Sequence, residues 1–225
     1  RVGGSIFLYV NTTKQFLDQV EVRKAISLAI NRELIVRVAM YDYTIPAHPT
    51  ALADGLAPWR SPTATENGDW VEYDIERANE MLDNAGFKKG PNGIRLLPDG
   101  NELFFDISIV SGWSDWIRAA QVISQNLKMV GINTRVKTRD FGAWLSSMQN
   151  GEFDMGIAWT EKGPTPYRLY RGLMSSEFLK PVGETAEVNW HRFASDEVDS
   201  LCVAFEKTSD KEEIKKIIYR MQEIF

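Results

Sequence analysis

The chain has 225 residues, a net charge of −5, and 44% hydrophobic and 25% charged residues. Those proportions suit a globular protein large enough for one large or two small domains. Scattered Lys and Arg form no basic stripe, so nucleic acid is not an expected partner, and no apolar run approaches the roughly 18 residues that a membrane-spanning helix needs.

In chain order, Ile6–Val10 reads as a strand that stops at Asn11-Thr12-Thr13. Asp18 and Glu21 stand at capping-box spacing before a helix with Val22, Ala25, Ile26, Ala29 and Ile30 on its apolar face. Asn31-Arg32-Glu33 opens a second helical run. From Tyr43 to Trp70, Pro46, Pro49, Pro58 and Pro62 argue for loop, and loops of such length are often functional. Asp74 caps a helix through Ala78, Met81 and Leu82 that Gly86 stops. Lys88–Asn101, rich in Gly and Pro, reads as a connector or extended hairpin.

Phe104–Val110 suits a buried strand, and Trp116, Ala120, Ile123, Leu127 and Val130 share one face of the helix that follows. Next come a strand over Ile132–Lys137, a helix over Phe141–Asn150, a strand over Phe153–Trp159 and a loop over Glu161–Pro166. Helices over Ser195–Lys207 and Asp210–Phe225 close the chain, the second with Ser209 and Glu212 as a capping box. Strands alternating with helices from 104 to 159 predict right-handed β-α-β crossovers and a mostly parallel sheet.

The loop Ser111–Asp115 then falls at the carboxyl end of a strand, where open α/β sheets hold ligands. There Trp113 is either a binding platform or a plug against the body. Seven tryptophans are many for this length. Trp116 and Trp144 match helix faces and read as core. No phosphate-binding, dinucleotide, nucleophile-elbow, zincin or C-x-x-C motif occurs. His48 and His191 stand far apart and the single cysteine, Cys202, reads as a helix packing residue, so neither a catalytic set nor a metal site is expected. Cofactors are not implied. Asn11-Thr12-Thr13 matches the glycosylation pattern but reads better as a strand end.

Taken in order, these segments resemble the family 5 extracytoplasmic solute-binding proteins, receptors for ABC importers of peptides and oligosaccharides. The resemblance rests on Asn11-Thr12, then Asp18, Val22-Arg23-Lys24-Ala25-Ile26, Ala29-Ile30-Asn31-Arg32 and Ile35. It continues through Tyr73–Phe87, Val122–Thr160 and Ser195–Phe225. Asn31 departs from the Asp of many relatives and reads as a structural helix position. The resemblance implies a periplasmic-binding-protein-like α/β lobe with a mixed, mostly parallel sheet flanked by helices. It also implies that residues 1–225 are the carboxyl-terminal lobe of a two-lobe protein, cut at both ends. The implied partners are a small solute, an amino-terminal lobe and an ABC transporter membrane permease. The implied location is periplasmic or extracytoplasmic, lipid-anchored if the bacterium has no outer membrane.

The aromatic content resembles the members that bind cello-, chito- or manno-oligosaccharides, with oligopeptides or dipeptides as the alternative. Pyranose C–H faces lie flat on indole rings while ring-edge hydroxyls need planar hydrogen-bonding partners. Trp113 with Asp115, Trp159, and the run Trp190, Arg192 and Phe193 offer that pairing. They are the expected ligand-binding residues.

Overall fold

The structure, a computed structural model, describes residues 5–161, 163 and 165–225. Arg1–Gly4, and Lys162 and Pro164 of the expected 161–166 loop, lie outside the described residues. Four strands form one sheet: β1 (Ile6–Val10), β2 (Phe104–Val110), β3 (Asn133–Arg139) and β4 (Met155–Trp159), in the order β1-β4-β2-β3. The pairs β2/β3 and β2/β4 are parallel and β1/β4 is antiparallel, which bears out the mixed, mostly parallel sheet.

Helices flank the sheet. They are α1 (Val20–Ala29), α2 (Arg32–Ala39), α3 (Pro62–Glu66), α4 (Ile75–Asn84), α5 (Ser114–Met129), α6 (Phe141–Gln149), α7 (Tyr167–Met174), α8 (Asp196–Lys207) and α9 (Lys211–Ile224). The crossovers through α5 and α6 run in opposite directions along the sheet, so right-handed connections put them on opposite faces. Helix α5 packs on β2, β3, α1 and α2, and α6 packs on β2 and β3. The approach of α6 to β4 is close: a Cβ at Gly156 would stand 2.5 Å from the Met148 sulfur. Apolar burial drives this packing. Val22, Leu82, Ile107, Leu127, Trp144 and Ile218 are all fully enclosed.

Capping explains several boundaries. Asn31 accepts from the Leu34 N–H at 2.8 Å and Asp74 from the Arg77 N–H at 2.9 Å, each relieving an orphan donor. Two expected capping boxes are not formed. Helix α1 starts behind Gln19 with no side-chain cap; instead the Arg23 guanidinium ties down the Leu17 and Asp18 carbonyls. Asp210, not Ser209, caps α9 through the Glu213 N–H at 2.8 Å, because a carboxylate is the stronger acceptor at a helix's positive end.

The 43–70 stretch is more ordered than its prolines suggest. It holds 3-10 turns over Asp54–Trp59 and Gly68–Val71 and the helix α3, whose Pro62 occupies the first turn where no donor is needed. Helix α7 fills a span to which the sequence pattern assigns nothing, burying Leu169, Tyr170, Leu173 and Met174. Asn11 is fully buried, and its amide donates to the Gly151 and Phe153 carbonyls at 2.8 Å each. That nitrogen is a structural tether, as its strand-end position predicts.

Candidate functional site

Because β2, β3 and β4 run parallel, their carboxyl ends share one edge of the sheet. Each delivers an aromatic ring there. Trp113 follows β2, Phe141 follows β3 and opens α6, and Trp159 ends β4. The ring centroids make a near-equilateral triangle: 6.0 Å from Trp113 to Phe141, 6.3 Å from Trp113 to Trp159 and 6.5 Å from Phe141 to Trp159. Phe141 and Trp159 lie within 17° of parallel. Trp113 and Trp159 are half-buried and Phe141 is 46% exposed.

Core rings hold this triangle from behind. Trp116 meets Trp113 edge-on at 4.8 Å, and Trp144, with no exposed surface, stands 5.5 Å from Trp159. Both are core, as their helix positions predict. Rings packed so densely lose little freedom when a ligand lands on them.

Trp159 is also one wall of a cleft of about 260 Å³ lined by Tyr9, Gln149, Glu161, Glu187, Asn189 and Trp190, with Leu145, Leu173 and Val188 as apolar floor. Trp190 meets Trp159 edge-on at 5.9 Å. It is only 7% exposed, and its indole N–H donates to the Glu187 carbonyl at 3.1 Å. The Tyr9 hydroxyl donates to the Trp159 carbonyl at 3.1 Å. Burial, with a smaller push from the Glu161 charge, raises the Tyr9 phenol above its ordinary range, so it stays protonated. A second hollow, beside Pro49, Trp70 and Phe225, measures only about 60 Å³.

The other expected site residues separate. Asp115 lies in the first turn of α5 and accepts from the Trp116 N–H at 2.9 Å. Arg192 turns inward. It is 5% exposed and donates to the Gln149 and Glu184 carbonyls at 2.7 and 2.9 Å, stitching the end of α6 to the 184–190 loop. Left-handed backbone at Asn189 (φ 54°) and Arg192 (φ 62°) sets that direction. The Asn189 side chain holds the turn by accepting from the Phe193 N–H and donating to the Phe193 carbonyl. Phe193 stacks on His191 at 6.4 Å instead of joining the ring triangle. So Trp113, Trp159 and Trp190 come together, while Arg192 and Phe193 serve the loop.

Sequence reasoning did not single out Phe141, Tyr9, Glu161 or Glu187. For Phe141 a signal existed: it follows a predicted strand in the same way that Trp113 does.

Cys202 is buried, as expected. Among the described residues no group of His, Cys, Asp and Glu could hold a metal ion, and no helix is long and apolar enough to cross a membrane. What the arrangement offers chemically is apolar stacking surface beside a polar-lined cleft.

Comparison with known proteins gives this geometry a context. The chain matches the model of the bacterial extracellular solute-binding proteins, family 5 Middle, over residues 1–178. It is 26% identical to the glutathione-binding protein GsiB of Salmonella paratyphi A, over 97% of this chain and 39% of that protein. The mannohexaose-bound periplasmic oligopeptide-binding protein of Thermotoga maritima superimposes with a TM-score of 0.91 at 26% identity, covering all of this chain and 42% of that one. The nonapeptide-bound AppA of Bacillus subtilis shares the fold, with a TM-score of 0.77 at 19% identity over 99% of this chain and 42% of that one. The chain thus spans about two fifths of the length of these relatives.

Proposed function

The chain belongs to family 5 of the bacterial extracellular solute-binding proteins, and from that premise we propose that it is one lobe of the substrate-binding protein of an ABC importer. It is a receptor and not an enzyme. Its solute lies across Trp113, Phe141 and Trp159 and reaches the cleft in front of Trp190. Asp115, at the same edge, accepts from the solute's hydroxyls, whereas Arg192 and Phe193 support the loop from within. The solute is a β-linked oligosaccharide of the cello-, chito- or manno-type.

One observation carries this reading: three parallel strands each end in an aromatic ring on one edge. A flat apolar surface of that kind matches the C–H face of a pyranose, and sheet edges of this type are where open α/β folds take ligands. The mannohexaose carried by the similar Thermotoga maritima protein agrees with it. A peptide is the second reading, favoured by the glutathione-binding relatives.

The proposed setting is periplasmic or extracytoplasmic, with a lipid anchor where the cell has no outer membrane. The partners are a second, amino-terminal lobe that completes the site and a membrane permease. Calorimetry on the full-length protein with mannohexaose, cellopentaose and chitopentaose against a di- to pentapeptide set tests the reading. Saturable heat from at least one β-linked sugar is expected. Peptide binding with no response to any of these sugars would overturn it.

A further inference from the structure

The cleft beside Trp159 has one sign of charge. Among the described residues its ionisable lining is Glu161, Glu187 and the protonated Tyr9, and none of them is a Lys, Arg or His. Three arginines nearby, among the described residues, have partners. Arg192 turns away from the cleft, one terminal nitrogen donating to the Gln149 and Glu184 carbonyls while its buried Nε has no partner. Arg171 pairs with Glu177 at 2.6 Å. Arg168 holds Glu161 at 2.8 Å, yet its own side chain is 68% exposed and lies outside the lining. Solvent screens Arg168, so the pair neutralises Glu161 poorly on the cleft side. The lift that Glu161 gives the Tyr9 phenol has the same sign. No described residue bonds the Glu187 side chain.

Among the described residues, two glutamates line the cleft together with two indole rings, and no lining residue is a cation; such a lining favours a protonated amine, because indole faces attract cations and carboxylates pair with them. A ligand carboxylate entering the same space would be desolvated against like charge with no donor to meet it. Resting on the oligosaccharide reading above, we propose that this cleft selects its ligand by charge, taking an amine-bearing sugar ring ahead of a neutral one and rejecting a carboxylate-bearing one, with Glu161 and Glu187 as the selecting groups.

The test is calorimetry on the full-length protein at pH 7 and low salt, with three β-1,4 oligomers of equal length built from glucosamine, glucose and glucuronate. The expected order is glucosamine, then glucose, then glucuronate, each step about tenfold in affinity, or about 1.4 kcal/mol. The gap should narrow as salt rises. In the Glu161→Gln/Glu187→Gln double variant, with its melting temperature checked against wild type, the three affinities should converge to within about threefold, or about 0.7 kcal/mol. Equal binding of glucosamine and glucuronate oligomers by wild type, or an order that the double variant retains, would overturn the proposal. If only peptides bind, the oligosaccharide reading fails instead. The charge preference is then read on matched peptides carrying Lys, Gln or Glu, where the same order upholds it and any other order sinks it.

Discussion

The two ends of the sheet are built on opposite rules. At the amino ends of β2 and β3 sits Arg95, with no exposed surface. It donates to the Val130 carbonyl at 2.7 Å, to Asp83 at 2.5 Å, to the Phe87 carbonyl, and to the Asn79 backbone and side-chain oxygens at 3.1 and 2.9 Å. Every guanidinium N–H is used. Its backbone bridges Gly131 and Leu103, the residues that lead into β3 and β2. Gly131 has φ 83°, and a Cβ there would press within 2.9 Å of the Arg95 side chain. At the carboxyl ends three half-buried or exposed rings stand beside a polar-lined cleft. A saturated polar node stabilises the fold and has nothing left to offer a ligand. The ring triangle forgoes burial and keeps a surface free for binding.

Replacing Arg95 by Met strikes the saturated end. Three backbone carbonyls and Asn79 lose their donor inside the protein, and about 3–5 kcal/mol of stability should go with it. Denaturant unfolding measures the loss. Affinity of the folded fraction for the solute should not change, and a variant that keeps its stability would break the contrast. At the other end, Trp144→Ala removes a fully enclosed ring behind the triangle and should cost about 3–5 kcal/mol of stability as well. It marks where that end stops being a site and becomes core.

His191, whose carbonyl accepts from the Thr12 N–H just beyond β1, adds a test by pH. Burial pushes its imidazole from 6.5 down to about 4, the Leu173 carbonyl opposing and the Arg23 and Arg192 charges assisting. The ring Nδ1 is buried without a partner. A folded-state pKa below the ordinary one means that protonation favours unfolding. The stability is therefore complete above pH 6.5 and lost as pH falls toward 4, by on the order of 3 kcal/mol. Denaturant midpoints of His191→Gln should show this slope flattened between those limits. An unchanged slope would assign the acid sensitivity to carboxylates.

Trp113→Ala in the full-length protein should weaken solute binding more than tenfold, about 2 kcal/mol, and move the melting temperature little. Unfolding of the variant, or unchanged affinity, would make this loop structural. The smallest expected effect returns to the amino side. Asn31→Ala removes a cap that also sits beside Asn126 of α5 and should cost about 1 kcal/mol, with no effect on binding.

Much of this was legible in the chain. The 104–159 alternation is strong because strand and helix periods differ sharply and each apolar face is continuous. Trp113 and Trp159 could be placed at an edge because parallel crossovers put all three carboxyl ends together. The direction of Arg192 was not legible, since it depends on left-handed backbone at two non-glycine residues, and the sequence shows only a basic residue between aromatics. The caps misread at Asp18 and Ser209 have another origin, for Gln19 stands at the start of α1 without a side-chain cap and Asp210 caps α9. Spacing identifies a candidate acceptor, but the helix can start one residue later, capped by the neighbour as at Asp210 or left without a side-chain cap as at Gln19. Phe141 looked like the apolar start of a helix, and only its packing leaves it half in solvent.

The pairing of β1 with β4 has a consequence for the order of assembly. Val10 partners Met155, so β1 must wait for the chain to grow by about 145 residues before β4 is made; at ~5–20 residues per second that is ~7–30 s. Until then β1 lacks its β4 partner. Its arrival closes β4 against β1 and fixes the backbone of Trp159, which registers with Ile6. The ring common to the triangle and the cleft is therefore among the last features to settle. Slow or interrupted folding should yield molecules with a formed α5–β3 unit and no binding site.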